Sequence, residues 1–221
     1  MSFFDRYTNS KFYSFFELLY FLIILNILWL LTSFVGFVVF TLFPATIAVY
    51  LFILHRKDER DFKFIRTFLI IIKREYIKSQ KLFLVILLMG FIITSNLIFY
   101  YNNLEFLSML HFIGLVMTLL IGIAYLLTII HIIPVYIFFH ELKTLPMIKY
   151  AFLMSFAYLF RSLASLGFFI GLILLSLLVQ PIFVFGFISI LLLTFCVIIE
   201  DKYIRLLKGK DRIKIQDYIP E

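Results

Sequence analysis

Residues 18–54, LLYFLIILNILWLLTSFVGFVVFTLFPATIAVYLFIL, decide the fold class of this protein. The run contains 37 residues and no Asp, Glu, Lys or Arg. One transmembrane helix needs only about 20 apolar residues to cross a hydrocarbon core of about 30 Å, and a straight helix of this length would measure about 55 Å. The run also lacks the period-2 alternation of a transmembrane β-strand. It therefore predicts membrane-spanning α-helices and favours two short helices over one.

The rest of the chain predicts the same class. Hydrophobic residues make up 64% of the 221 residues and charged residues 15%, where soluble domains have about 45–50% and about 25%. Three more uncharged stretches follow, at 82–104, 106–140 and 162–199. This composition excludes an ordinary soluble domain and predicts an all-α polytopic membrane protein, with residues 1–221 as one integral membrane domain. The only cysteine, Cys196, excludes an intrachain disulfide.

The positions of the basic residues predict which loops face the cytoplasm. The 20 Lys and Arg residues fall in four clusters: 1–17, 55–81, 140–161 and 200–214. The loop at 100–106 and the apparent turn at 180–181 contain none. By the positive-inside rule the clusters are cytoplasmic and these two loops are external. The pattern predicts four crossings after residue 81, at about 82–101, 106–130, 160–179 and 182–199.

The first apolar run leaves two topologies open. A turn between Ser33 and Pro44 would give six spans in three hairpins, with both termini and the basic tail, 200–221, in the cytoplasm. The alternative is five spans with the N-terminus outside, if 36–48 is re-entrant or only kinks one tilted helix. The second helix of each hairpin contains a proline, at 44, 134 or 181, although prolines are common in transmembrane helices generally.

The cytoplasmic segment 55–81 contains an amphipathic helix. Projected at 100° per residue, 62–81 places most apolar side chains on one half and these basic residues on the other: Lys63, Arg66, Lys73, Arg74, Lys78 and Lys81. One interpretation is an interfacial helix whose apolar face enters the headgroup region while its cations bind anionic lipid. The second is a docking surface for a partner protein. Nucleic acid is not expected as a partner, because no recognition motif accompanies these positive charges.

A few polar residues and prolines interrupt the apolar spans. We expect them to serve packing or hydrogen bonding between helices, rather than chemistry: Asn26, Trp29, Pro44, Asn96, His131, Pro134 and Arg161. Arg161 is an interfacial snorkelling residue if its span begins near 160, and otherwise marks an anion contact or a buried pair.

No motif for chemistry accompanies them. None of the four histidines forms an i, i+4 pair or an HExxH motif, and no Ser/His/Asp arrangement or Gly-rich phosphate loop is present. The sequence therefore predicts no metal, no cofactor and no enzymatic activity.

Four stretches resemble the YesL-like family of bacterial integral membrane proteins, which is defined as a domain of unknown function. LNILW at 25–29 and FPATIA at 43–48 are similar to the family's "LNxxW" and "xPAtxA". IKREYIKS at 72–79 is similar to "FkkNFkqs", and the segment from IPVY at 133–136 to KYA at 149–151 is similar to "fPlyxrxxxslkexlknA". Glu75 replaces the usual Asn, and Phe43 replaces a frequent Gly.

The resemblance implies a non-enzymatic accessory protein of the bacterial plasma membrane, associated with carbohydrate utilisation. Its expected partners are permease subunits of a sugar ABC importer. Two other functions stay open. A small-solute transporter or channel would need a solvent-accessible cavity lined by Asn26, Asn96, His131 or Arg161. A role in assembly of cell-envelope glycopolymers is the weaker alternative.

Overall fold

The computed structural model describes residues 11–37, 40–56, 64–103, 109–206 and 215–218. Within these residues the chain forms helices and turns and no strand, so the prediction of an all-α protein is confirmed. The helices are α1 (Lys11–Val35), α2 (Leu42–Leu54), α3 (Phe64–Asn102), α4 (Met109–Phe138), α5 (Thr144–Ala157), α6 (Leu159–Leu178), α7 (Pro181–Phe185), α8 (Phe187–Leu206) and a 3₁₀ helix (Ile215–Tyr218). Lys63, the first ten residues and 207–214 of the basic tail lie outside the described residues.

Four of these helices are long and apolar enough to cross a membrane. They are Tyr13–Val35, Phe64–Asn102, Met109–Phe138 and Leu159–Leu178. Only 6% of the apolar window of α3 and 17% of that of α4 is buried within the protein, so these helices expose large apolar side chains over most of their surface. Such a surface is stable in lipid and not in water. The chain is therefore a membrane protein with four candidate spans.

The first apolar run forms two helices rather than one kinked helix. α1 ends at Val35 and α2 begins at Leu42. In the turn, the Thr41 hydroxyl donates to the carbonyl of Thr32 at 2.8 Å, which also accepts from the backbone N–H of Gly36 at 3.1 Å. A Cβ at Gly36 would overlap the side chain of Thr41. The glycine is therefore required for this close approach of the turn to α2.

α2 is the centre of the core. All its side chains from Phe43 to Ile53 are buried, because α1, α3, α4 and α8 pack around it. A helix that is apolar on every side is expected in such a position. The ring of Phe52 lies 4.5 Å from that of Phe64 and 5.9 Å from that of Phe68, and Phe43 stacks on Phe83 at 5.8 Å. At 13 residues, α2 measures only about 20 Å.

α3 corrects the interpretation of 62–81 as a separate interfacial helix. It is one continuous helix of 39 residues, about 58 Å long, and passes through the expected membrane boundary at residue 81. Its buried stripe follows alternating spacings of four and three residues: Phe68, Ile72, Glu75, Ser79, Leu82 and Ile86. This stripe packs against protein instead of entering the headgroup region. A helical projection identifies an apolar face but not what covers it.

The turn between α1 and α2 lies beside the middle of α3. The Gln80 side chain donates to the carbonyl of Phe40, near the contact of Phe43 with Phe83. The turn between α3 and α4 instead follows Asn102, more than 20 residues further on, or about 30 Å along the helix. The two turns that the six-span topology places on one external side thus lie at different positions along α3.

The later helices return to the core. α3 and α4 pair along their length, with the Tyr125 hydroxyl donating to the carbonyl of Ile86 at 2.8 Å. Pro134 is buried inside α4, which continues to Phe138. α6 ends at Leu178 and α7 begins at Pro181, so the chain turns at the predicted place. α8 then continues through the start of the predicted tail to Leu206.

Candidate functional site

A buried glutamate on α3 is the centre of the main polar cluster. Glu75 is 6% exposed because it lies on the inner stripe of α3. Its Oε2 accepts a hydrogen bond from the Tyr136 hydroxyl at 2.5 Å, and its Oε1 accepts one from the Tyr218 hydroxyl at 2.5 Å. A carboxylate can be buried only where such donors replace water. Glu75 thus joins α3, the end of α4 and the C-terminal 3₁₀ helix.

Two basic residues of the predicted docking set complete this cluster. Lys78 donates to the backbone carbonyl of His140, and its Nζ lies 5.4 Å from the centre of the Tyr136 ring. Arg74 donates to the carbonyl of Asp217 at 2.6 Å and lies 5.7 Å from the centre of the Tyr218 ring. Both cations therefore contact this chain's own carbonyls and aromatic rings.

His140 lies next to the same carboxylate. Its Nε2 is 3.8 Å from Glu75 Oε2, and its ring packs edge-on against Tyr136 at 5.4 Å. Burial lowers the pKa of His140, and the charge of Lys78 lowers it further, against the opposing effect of Glu75. A histidine whose pKa lies below the usual value of about 6.5 is mostly uncharged at pH 7, so the imidazole of His140 is neutral at that pH.

Tyr218 fixes the C-terminal segment to the bundle. Its side chain and that of Ile215 are buried. Burial raises the pKa of Tyr218, and the hydrogen bond to Glu75 raises it further, so the hydroxyl keeps its proton and donates it. Both carboxylate oxygens of Glu75 are therefore occupied by this chain. The cluster is a clamp that holds the C-terminal 3₁₀ helix on α3.

The other described cations of the set have no hydrogen-bond or ion-pair partner among the described residues. Arg66, Lys73 and Lys81 are exposed and lie within an arc of about 80° over about 22 Å of α3. Exposed apolar side chains accompany them: Ile65, Leu69 and Ile77 at 61%, 50% and 68% exposure. We call these six residues the basic face of α3.

A second buried network connects α4, α6 and α8 through His131. Its Nε2 lies 2.8 Å from Ser162 Oγ, and its Nδ1 lies 2.9 Å from the Tyr203 hydroxyl. Ser162 donates its hydroxyl proton to the carbonyl of Ser155 at 3.0 Å, so the Ser162 oxygen accepts a hydrogen bond from Nε2–H of His131. The Nδ1 atom of His131 then carries no proton and accepts from the hydroxyl of Tyr203. His131, Ser162 and Tyr203 have no exposed surface. The network therefore stabilises helix packing.

Asn26 connects α1 to the junction between α7 and α8. Its Nδ2 donates to the carbonyl of Val184 at 2.7 Å, and its Oδ1 accepts from the backbone N–H of Ile188 at 3.0 Å. These backbone groups belong to helix ends, where intrahelical partners are missing. The neighbouring Trp29 donates from Nε1 to the hydroxyl of Thr46 on α2 at 2.9 Å.

Three other predicted residues have different surroundings. Pro44 lies buried in the first turn of α2, where its missing N–H costs no helical hydrogen bond. Arg161 lies in the first turn of α6 and donates to the carbonyl of Ile198 on α8 at 2.5 Å. Asn96 corrects our expectation of a bond between helices. Its side chain is exposed on α3, and it has no hydrogen-bond partner among the described residues.

Sequence reasoning did not identify Glu75, Tyr136, Tyr203 or Ser162 as parts of polar clusters. The stripe spacing along α3 could have indicated that Glu75 faces inward with Phe68. No sequence signal indicates its tyrosine partners, which are 61 and 143 residues away. Within the described ranges, no three His, Cys, Asp or Glu side chains are grouped so that they could hold a metal ion.

Comparison with known proteins gives one match. Residues 22–97 match the family model described as "Protein of unknown function, DUF624". The matched region includes the stretches at 25–29, 43–48 and 72–79, and is consistent with the resemblance to the YesL-like family, whereas the stretch from 133 to 151 lies outside it. Neither the curated proteins nor the solved structures gave a match. The family description states no activity.

Proposed function

We propose that this chain is a non-enzymatic accessory protein of the bacterial plasma membrane that binds another protein through the basic face of α3. One observation carries the proposal: Arg66, Lys73 and Lys81 are exposed on one side of α3 and have no hydrogen-bond or ion-pair partner among the described residues. Arg74, which is also exposed, and Lys78 instead contact the chain's own carbonyl groups. Cations needed only for folding would be expected to behave like the second pair. Arg66, Lys73 and Lys81 therefore support binding of an acidic surface on another protein.

The apolar members of the basic face also support a protein partner. Ile65 and Ile77 are more than half exposed beside the cations. Protein interfaces commonly combine a desolvated apolar centre with arginine and a polar rim. The isoleucines would supply the apolar centre of such an interface, and the cations its rim.

The partner we propose is a permease subunit of a sugar ABC importer. This choice rests on the resemblance to the YesL-like family, whose members are associated with carbohydrate utilisation. The buried clusters support a role without catalysis. The oxygens of Glu75 and the nitrogens of His131 are occupied by neighbouring side chains, and this leaves no free acid or base on them for a substrate.

The docking role can be tested with two matched variants. Lys73→Gln removes one exposed lysine from the basic face, and Lys143→Gln removes one exposed lysine elsewhere. Each protein would be crosslinked in native membranes, and its partners would be quantified by mass spectrometry. Breaking charge pairs at an interface costs about 2–5 kcal/mol, so we expect at least a tenfold loss of partner with the first variant only. Equal recovery with both variants would refute docking at this face.

We further propose that both termini and residues 55–81 are cytoplasmic. The distribution of basic residues supports this topology. Six crossings would also place the α1–α2 turn outside, whereas the hydrogen bond from Gln80 to the carbonyl of Phe40 favours a turn on the same side as Gln80. Single cysteines at Ser10, Phe40 and Asn102, in a Cys196→Ser background, would be labelled with an impermeant thiol reagent in intact cells. Six crossings require labelling at 40 and 102 and protection at 10. Labelling at 10 would instead establish five spans, and protection at 40 would mean that the α1–α2 turn stays on the cytoplasmic side, next to Gln80.

A further inference from the structure

An apolar groove lies between α3, α4 and α5. It encloses about 610 Å³, and its walls include Met89 and Ile93 on α3, Leu120 and Ile132 on α4, and Ile148 and Phe152 on α5. The lining is aliphatic and aromatic apart from two hydroxyls and one lysine. The hydroxyls of Tyr125 and Thr128 donate to carbonyls within the chain at 2.8 and 2.7 Å. The walls therefore present almost no polar group to an occupant.

The length of this groove matches one leaflet of a bilayer. From Leu120 to Ile132 it follows 12 residues of α4, or about 18 Å at the helical rise. Half of a hydrocarbon core of about 30 Å is about 15 Å. One acyl chain lying along α4 would therefore fill the groove from the membrane surface to about the bilayer centre.

A second surface meets this groove at Lys149. It is the exposed side of α5 formed by Leu145, Pro146, Lys149, Tyr150 and Leu153. Leu145 and Lys149 belong both to the groove and to this side of α5. Two apolar surfaces therefore meet at one cation, as the two acyl chains of a phospholipid meet at one phosphate.

Lys149 lies at the charged end of this region. The adjacent Tyr150 stacks on Phe139 at 5.6 Å, which places this part of α5 beside the end of α4. Two charged residues, Glu141 and Lys143, follow the end of α4 in the sequence. The Lys149 side chain is exposed, and no acidic side chain among the described residues forms an ion pair with it. An ammonium group above an apolar groove, without a carboxylate from its own chain, complements an anionic headgroup.

We propose that α3, α4 and α5 form a binding site for one anionic phospholipid of the cytoplasmic leaflet. Its phosphate binds Lys149, one acyl chain fills the groove along α4, and the other lies on the side of α5 beside Tyr150. The site uses none of the residues of the basic face, so it is independent of the proposed partner.

The test compares lipids retained by the full-length protein. The detergent-purified protein would be mixed with equal amounts of phosphatidylglycerol and phosphatidylcholine of identical acyl chains, and retention would be measured by native mass spectrometry. The parent should prefer phosphatidylglycerol. Lys149→Gln should reduce that preference about fivefold, as expected for loss of one cation at a membrane surface. Lys143→Gln, at an exposed lysine outside the groove and outside this side of α5, should not change it.

A second variant tests the groove itself. Ala124 lines the middle of the groove, and Ala124→Phe would fill it. We expect this variant to retain less of both lipids, with its helix content checked by circular dichroism. Lys149→Gln affects an exposed side chain and does not threaten folding, so it remains decisive if Ala124→Phe unfolds. An unchanged preference in Lys149→Gln, or an equal loss in Lys143→Gln, would overturn the proposal.

Discussion

Removing one hydroxyl from the clamp should release the C-terminal segment. Tyr218→Phe keeps the ring that lies over Arg74 but deletes the donor to Glu75 Oε1, at 2.5 Å. Glu75 and Tyr218 are 6% and 5% exposed, so water cannot replace the lost hydroxyl without opening the cluster. The carboxylate would keep only its bond to Tyr136, with His140 3.8 Å away.

The magnitude follows from the chemistry of that bond. Hydrogen bonds to charged groups contribute about 1.5–3 kcal/mol to stability, so Tyr218→Phe and Tyr136→Phe should each cost about 2 kcal/mol. The double variant should cost more than the sum, because the two hydroxyls serve one carboxylate and their loss leaves it buried without donors. Adding Glu75→Leu to the double variant should restore stability, since a buried polar group and its partners can be replaced by apolar groups at little cost.

Two measurements together test this reasoning. Thermal unfolding in detergent gives the free-energy order of the single, double and triple variants. Release of the tail is reported by Ile215→Cys in a Cys196→Ser background, because position 215 is fully buried and reacts with a thiol reagent only after the 3₁₀ helix detaches. Tyr13→Cys, at an exposed position, is the labelling control. Unchanged stability in both single variants, or protection of position 215 in Tyr218→Phe, would refute the clamp.

Three further predictions concern packing and pH. Asn26→Ala should lower the melting temperature, because it removes hydrogen bonds to the α7–α8 junction, which are worth about 0.6–2 kcal/mol in a membrane. Asn96→Ala, at an exposed position, should leave the melting temperature unchanged. Equal effects of the two substitutions would contradict these placements. Gly90→Ala should destabilise the α3–α4 pair by about 1–3 kcal/mol, since the new Cβ would lie 2.5 Å from the Tyr125 hydroxyl, and an unaltered melting curve would exclude this contact. Because burial lowers the pKa of His140, this side chain binds a proton more readily in the unfolded chain than in the folded protein. The free energy of unfolding should therefore fall as the pH drops below about 6.5. If the same pH dependence persists in His140→Gln, another group causes it.

The features that could be predicted from the sequence depend on neighbouring residues, whereas those that could not depend on contacts between residues far apart in the sequence. The break at Gly36 and the turn before Pro181 were predictable, because each depends on backbone properties of a few adjacent residues. The burial of Glu75 was not. Its sequence neighbours are the cations of an amphipathic helix, and the same pattern fits a surface that faces lipid or protein. Only the positions of Tyr136 and Tyr218 in space make a buried carboxylate possible there.

The sequence by itself determined that this is an all-helical membrane protein, because helix length and apolar content are local quantities compared with a fixed bilayer thickness. The tertiary structure decided which polar residues have partners. Asn26 and Asn96 both lie within apolar segments, yet one is buried at a helix junction and the other is exposed. It also separated the cations of one basic helix into two that contact the chain's own carbonyls, Arg74 and Lys78, and three that have no partner among the described residues. The reason is that burial depends on which helices pack together, and helices distant in sequence make those contacts.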